Sequence, residues 1–212
     1  MKMRVVGLLA AMVSLLGVPA MAGNLYDNGP EQLQSDGWLL NFGSAVSDTI
    51  QITGTVQGLD FWGEISSESD SISSVQVSIG TTAFSSNIFN GFVSLSQSNC
   101  AVNEYGFDVC LESANFSGPT LNGNYWLTLQ NASVPSGDLA AWNENSGVGC
   151  MSPGCPSTAQ ENEVGTIPSE AFTVLGTAST STSTGSTPEP ASILLLGSGV
   201  LGVVGVLRRK IG

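Results

Sequence analysis

The chain has 212 residues, 42% of them hydrophobic and only 10% charged, with seventeen Asp and Glu against five Lys and Arg, no His, and a net charge of −12. The cations stand at the extremes, Lys2, Arg4, Arg208, Arg209 and Lys210, so nothing between Val5 and Leu207 can neutralise a phosphate. This excludes nucleic acid as a partner and anionic lipid head groups as a target of the middle region. Without His, neither Ser-His-Asp nor Cys-His catalysis can be built, and a zinc site has only four Cys to draw on.

The N-terminus reads as a secretory signal peptide over residues 1–22. Lys2 and Arg4 form a basic region, Val5–Val18 an apolar one, and Ala20-Met21-Ala22 offers signal peptidase small residues before Gly23. An apolar run of 14 residues is short for a membrane-spanning anchor.

Residues 23–176 then alternate with period two. The clearest strands are Thr49–Val56, Ser74–Ile79, Phe107–Glu112 and Tyr125–Gln130, the last with Tyr125, Leu127 and Leu129 on one face. Shorter ones are Trp38–Phe42, Gly58–Ile65, Phe92–Ser96 and Glu170–Leu175. Asn, Gly, Ser and Pro clusters punctuate them, and no amphipathic helix or internal repeat stands out. The expected fold is all-β, an antiparallel β-sandwich of jelly-roll-like topology, with an immunoglobulin-like arrangement as the alternative.

Cys100, Cys110, Cys150 and Cys155 are an even set in an exported chain, which favours disulfides. Of the three pairings, the local ones are simplest: Cys100–Cys110 and Cys150–Cys155. A four-thiolate metal site fits the spacing poorly.

Residues 177–187, rich in Ser and Thr, read as a linker. The end, residues 188–212, carries Pro188-Glu189-Pro190, an apolar span over 191–207, and Arg208, Arg209 and Lys210. Seventeen residues make about 25 Å of helix, at the short limit for crossing a bilayer core. The basic end stays in the cytoplasm and the body lies outside.

This tail resembles the PEP-CTERM sorting signal of exported proteins from Gram-negative, exopolysaccharide-producing bacteria. The resemblance implies an exosortase as processing partner, membrane anchoring through the C-terminal helix before processing, and a destination at the cell surface or in the extracellular matrix. Leu25–Pro30, Tyr125–Ala132, Ala141–Gly147 and Pro168–Gly176 are similar to segments common in such proteins, which implies a β-rich domain but no activity.

Three site chemistries remain for the body. Trp142, Asn143, Glu144 and Asn145 in a polar stretch, Asp138–Gly149, and Trp62 in LDFWGEI suit polysaccharide recognition, an aromatic face stacking on a ring while amides fix hydroxyls. Glu64, Glu68 and Asp70, with Asp27 and Asn28, could supply oxygens to Ca²⁺, although no EF-hand or nonapeptide repeat is present and no other cofactor is indicated. A glycoside hydrolase would need two carboxyls about 5–9.5 Å apart, and no pair among the sixteen carboxylates before Pro188 is singled out. The resulting expectation is a non-catalytic surface or exopolysaccharide-matrix protein that binds glycan. The alternatives are a secreted glycan-acting enzyme and a purely structural or adhesive surface protein.

Overall fold

A computed structural model describes residues 22–34, 37–66, 69–146 and 158–179, and these contain twelve strands and no helix. In chain order they are β1 (Gly23–Asp27), β2 (Gly37–Leu39), β3 (Ala45–Ile65), β4 (Ser74–Gly80), β5 (Phe89–Ser94), β6 (Ser96–Val102), β7 (Asp108–Asn115), β8 (Thr120–Ser133), β9 (Ala140–Asn143), β10 (Thr158–Glu161), β11 (Gly165–Pro168) and β12 (Phe172–Ala178). All pairings are antiparallel and all strands join one hydrogen-bonded sheet along the path β1-β12-β3-β8-β4-β5. Off that path, β7, β9 and β10 each pair with β3 and carry β6, β2 and β11 beyond them. The expected signal peptide, the span over 191–207 and the Cys150–Cys155 pair lie outside the described residues, and no helix long and apolar enough to cross a membrane occurs among the described ones.

The spine is β3, 21 residues long. Its first half, Ala45–Thr55, pairs with β8, and its second, Gly58–Ile65, pairs with β7. The sequence suggests two strands broken near Gln57. One strand forms instead, and a bulge takes up the break: Gly176 of β12 faces Val56 and Leu175 faces Gly58, so Gln57 is left without an opposite residue. The bulge switches which positions point inward. Val46, Ile50, Ile52 and Val56 are buried before it, and Leu59, Phe61 and Ile65 after it. Both halves thereby supply one core, shared with Val75, Val77 and Ile79 of β4 and Leu127 and Leu129 of β8. A Cβ on Gly176 would collide with the Thr55 carbonyl oxygen, so only glycine lets β12 approach β3 at the bulge.

Other elements depart from their expected limits. The Phe92–Ser96 segment divides at Leu95 between β5 and β6, and β12 begins at Phe172 and runs through Thr177 and Ala178, two residues into the expected linker. β1, β6, β9, β10 and β11 have no strong alternation in sequence. The Cys100–Cys110 disulfide forms as the local pairing suggests, joining neighbouring strands β6 and β7.

Candidate functional site

The stretch around Trp142 is interior. Ala140–Asn143 is strand β9, buried throughout, rather than part of a polar loop. Trp142 is 0% exposed. Its ring meets Phe61 and Phe172 edge to face at 6.1 and 5.2 Å, and its indole N–H donates to the Ala171 carbonyl at 3.0 Å. With both faces packed and the polar tip bonded, no ring surface is left to stack on a sugar. Asn143 and Asn145 are buried as well and spend their amides inside: Asn143 on Glu64 Oε2 at 3.4 Å, Asn145 on the Asn28 carbonyl at 2.7 Å and Ser169 Oγ at 3.0 Å. Trp62 is half-buried. Because Trp142 pairs with Gly63, Trp62 points to the opposite face of the sheet, and the two indoles do not share a site.

The carboxylates expected to gather for calcium are also dispersed. Glu64 is buried and accepts from Asn103 Nδ2 at 2.8 Å, whereas Asp70, half-buried, accepts from Ser136 Oγ. Asp27 accepts the Gly29 N–H at 3.0 Å in a tight turn, and Glu68 lies outside the described residues. Among the described residues no three acidic side chains converge at metal-ligand distance.

Two other carboxylates are conspicuous by environment. Glu112 of β7 faces Phe61 across the ladder, and its Cγ lies so close to Gly63 that any side chain there would strike it. Neither of its oxygens has a hydrogen-bond partner, and burial pushes its pKa up to about 8. Glu170, between β11 and β12, is 0% exposed, and its two oxygens likewise have no partner. Burial, and then the charges of Asp48, Glu144 and Glu64, hold its carboxyl well above the usual range.

The exposed chemistry lies on the outer face of the sheet half formed by β3, β8, β4 and β5. Alternation places Thr49, Gln51, Thr53 and Thr55 of β3 outward, beside Thr120, Asn122, Asn124, Trp126 and Gln130 of β8, whereas Ser47 and Thr128 on the same side are buried and bonded to each other at 2.9 Å. Gln76 of β4 and Asn90 and Phe92 of β5 continue it, with Ser78 of β4 buried beside them. Cross-strand bonds order the face: Thr55–Thr120 at 2.8 Å, Thr53–Asn122 at 3.2 Å, and Gln76–Asn90 at 2.6 Å. None of these positions is charged, in a domain with sixteen carboxylates. Trp126 is half-buried between Thr49 and Gly80, and Phe92 is 68% exposed. Phe84, in the turn after β4, donates its N–H to Ser47 Oγ at 3.4 Å, so that turn crosses the face between the two aromatics. The sequence signal for this face is the alternation of Asn122, Asn124, Trp126, Thr128 and Gln130 along β8.

A cavity of about 290 Å³ opens elsewhere, lined by Gly37, Trp38, Leu39, Ser44, Glu161 and Glu163. The Trp38 indole N–H is bonded to Glu144 Oε1 at 3.0 Å, and Glu161 accepts the N–H groups of Glu163 and Val164.

An all-β antiparallel domain with an uncharged outer face and an acidic remainder defines a class of architecture but not a chemistry. The chain's own mark is at its end: residues 186–210 match the PEP-CTERM protein-sorting motif, so this is an exported protein handled by an exosortase-type system. No curated protein matches the chain.

Proposed function

We propose that this exported protein is a non-catalytic component of the cell surface or exopolysaccharide matrix, and that it holds uncharged stretches of glycan on the sheet face around Trp126. In this reading the tail holds the chain in the cytoplasmic membrane until the exosortase acts, and the body is then delivered outward.

The observation that carries the reading is the segregation of charge. The carboxylates that reach solvent repel polyanions over the rest of the domain, whereas the face built on β3 and β8 offers hydroxyls, amides and an indole. Sugar hydroxyls are donors and acceptors together, which Asn and Gln amides match, and a ring's apolar side suits an indole. A glycan-acting enzyme would need carboxyls in reach of the substrate, and the two whose surroundings favour the acid form, Glu112 and Glu170, are both buried.

A glycan array probed with the full-length chain tests this. Trp126→Ala is expected to weaken retained glycans more than tenfold, as for a central aromatic anchor, without loss of fold. Trp142→Ala is expected instead to destabilise the domain by about 3–5 kcal/mol. Undiminished binding by Trp126→Ala would remove the face from the account. An array with no hits would leave a structural or adhesive role, and release of reducing ends from polysaccharide would replace the non-catalytic reading.

A further inference from the structure

We propose that Glu112 and Gln97 form a proton-operated switch at the edge of the sheet. With the proton in place, the Glu112 carboxyl donates to Gln97 Oε1. Without it, the Gln97 side-chain amide turns over and its Nε2 donates to the carboxylate instead. The two residues stand directly opposite one another on β7 and β6, so their side chains leave the same face of the ladder with Cβ atoms about 4.5–5.5 Å apart. Each brings oxygens that nothing else satisfies. Both carboxyl oxygens of Glu112 and the amide oxygen of Gln97 are buried without a donor. A cross-strand pair that presents only acceptors lacks one proton, and a carboxylic acid supplies it.

The other end of the amide is already committed. Gln97 Nε2 donates to the Asp70 carbonyl at 3.3 Å and to Cys100 Sγ at 3.4 Å. That leaves the oxygen end for Glu112. An amide oxygen is repelled by a carboxylate but accepts a bond from a carboxylic acid, so this orientation of Gln97 belongs to the protonated state.

The surroundings offer Glu112 no counter-charge. β3 presents Phe61 and Gly63 to it, while Asp60 and Glu64 alternate to the opposite side. β5 and β6 carry no charged residue. On β7 itself Cys110 and Ala114 flank it on the same side, with Asp108 beyond Cys110. The Asp70 carboxylate is held by the Ser71 N–H and Ser136 Oγ.

The consequence falls on β6. Gln97 is the half-buried residue of an otherwise exposed strand, and its amide ties that strand to the segment before β4. When the amide turns, the Asp70 carbonyl and the Cys100 sulfur lose their donor, while the disulfide still holds β6 to β7. The loss of one interior proton is thereby read at the sheet edge. The inference is independent of glycan binding on the outer face.

The test is NMR of the isotope-labelled full-length chain as pH rises through the Glu112 midpoint, about 8. The Gln97 side-chain amide is expected to shift with the same midpoint as the Glu112 carboxyl carbon. The Cys100 Cβ signal should move with them, although a disulfide sulfur does not itself titrate. Glu112→Gln is expected to keep the Gln97 amide in its low-pH position at every pH, because the new amide is a permanent donor to Gln97 Oε1. Gln97→Met is expected to abolish the Cys100 shift while Glu112 still titrates, and it decides alone if Glu112→Gln does not fold. A Gln97 amide that stays still through the Glu112 titration overturns the switch. So does a Cys100 shift that survives in Gln97→Met, which would mean that the sulfur senses the charge directly, or a Glu112 carboxyl that titrates in the ordinary carboxylate range.

Discussion

Glu112 is a buried carboxyl between Phe61 of β3 and Gln97 of β6, and burial pushes its pKa from 4.5 up to about 8. The folded state then holds this proton more tightly than the unfolded chain does. Its contribution to stability is fully present below about pH 4.5 and is lost as pH rises through that value towards about 8. The slope for one proton is at most about 1.4 kcal/mol per pH unit. Urea unfolding across this range, in chelated buffer, is expected to show stability falling with pH. Glu112→Gln should flatten the fall and be the more stable protein at pH 8. Some slope should persist, because Glu170 is shifted in the same direction. A variant with the wild-type slope would place the Glu112 carboxyl in contact with water. Such residues are not legible in sequence: Glu112 sits in DVCLESAN as an ordinary polar alternate, and only the chain packed against β7 decides that it faces Phe61. Trp142 misleads for the opposite reason. Its Asn and Glu neighbours suggest a wet loop, but Asn143 and Asn145 are buried and donate to Glu64, Asn28 and Ser169 from other segments.

At the scale of elements, the alternation of Thr49–Val56 and Tyr125–Gln130 was enough to place β3 and β8, because a half-buried strand must alternate. The short strands escaped for physical reasons. β9 is buried on both sides and so shows no alternation, and β6 is exposed almost throughout. Among the described strands β6 pairs only with β7, to which the Cys100–Cys110 bond also ties it, across a bulge between Ser98 and Ala101. Opening a loop of this size is expected to cost about 2–3 kcal/mol. Cys100→Ser with Cys110→Ser should lower the urea midpoint accordingly. Amide exchange should accelerate first in β6, where the edge frays, and leave the β3–β8 ladder protected. Uniform acceleration across the sheet would show that the bond supports the whole fold and not its edge.

At the scale of the whole molecule, the sorting motif at residues 186–210 sets the route. Replacing Pro188, Glu189 and Pro190 by Ala is expected to leave a chain ending at Gly212 in the cytoplasmic membrane, whereas the wild-type chain is expected to end near Pro190 outside it. Mass spectrometry of the C-terminus on fractionated cells reads both. A wild-type protein ending at Gly212 would mean that the tail is a lasting anchor. The sequence by itself determined the export route and the all-β class, because each rests on composition or on order along the chain, while for the cysteines it offered three pairings of which Cys100–Cys110 is a local one that forms. Only the tertiary structure decided which side of each strand meets water. Period-two alternation marks two faces without saying which neighbours will cover them. That choice buried Trp142, left Trp126 half-buried on an uncharged face, and brought Asp48, 122 residues away in sequence, with Glu64 and Glu144 close enough to act on Glu170.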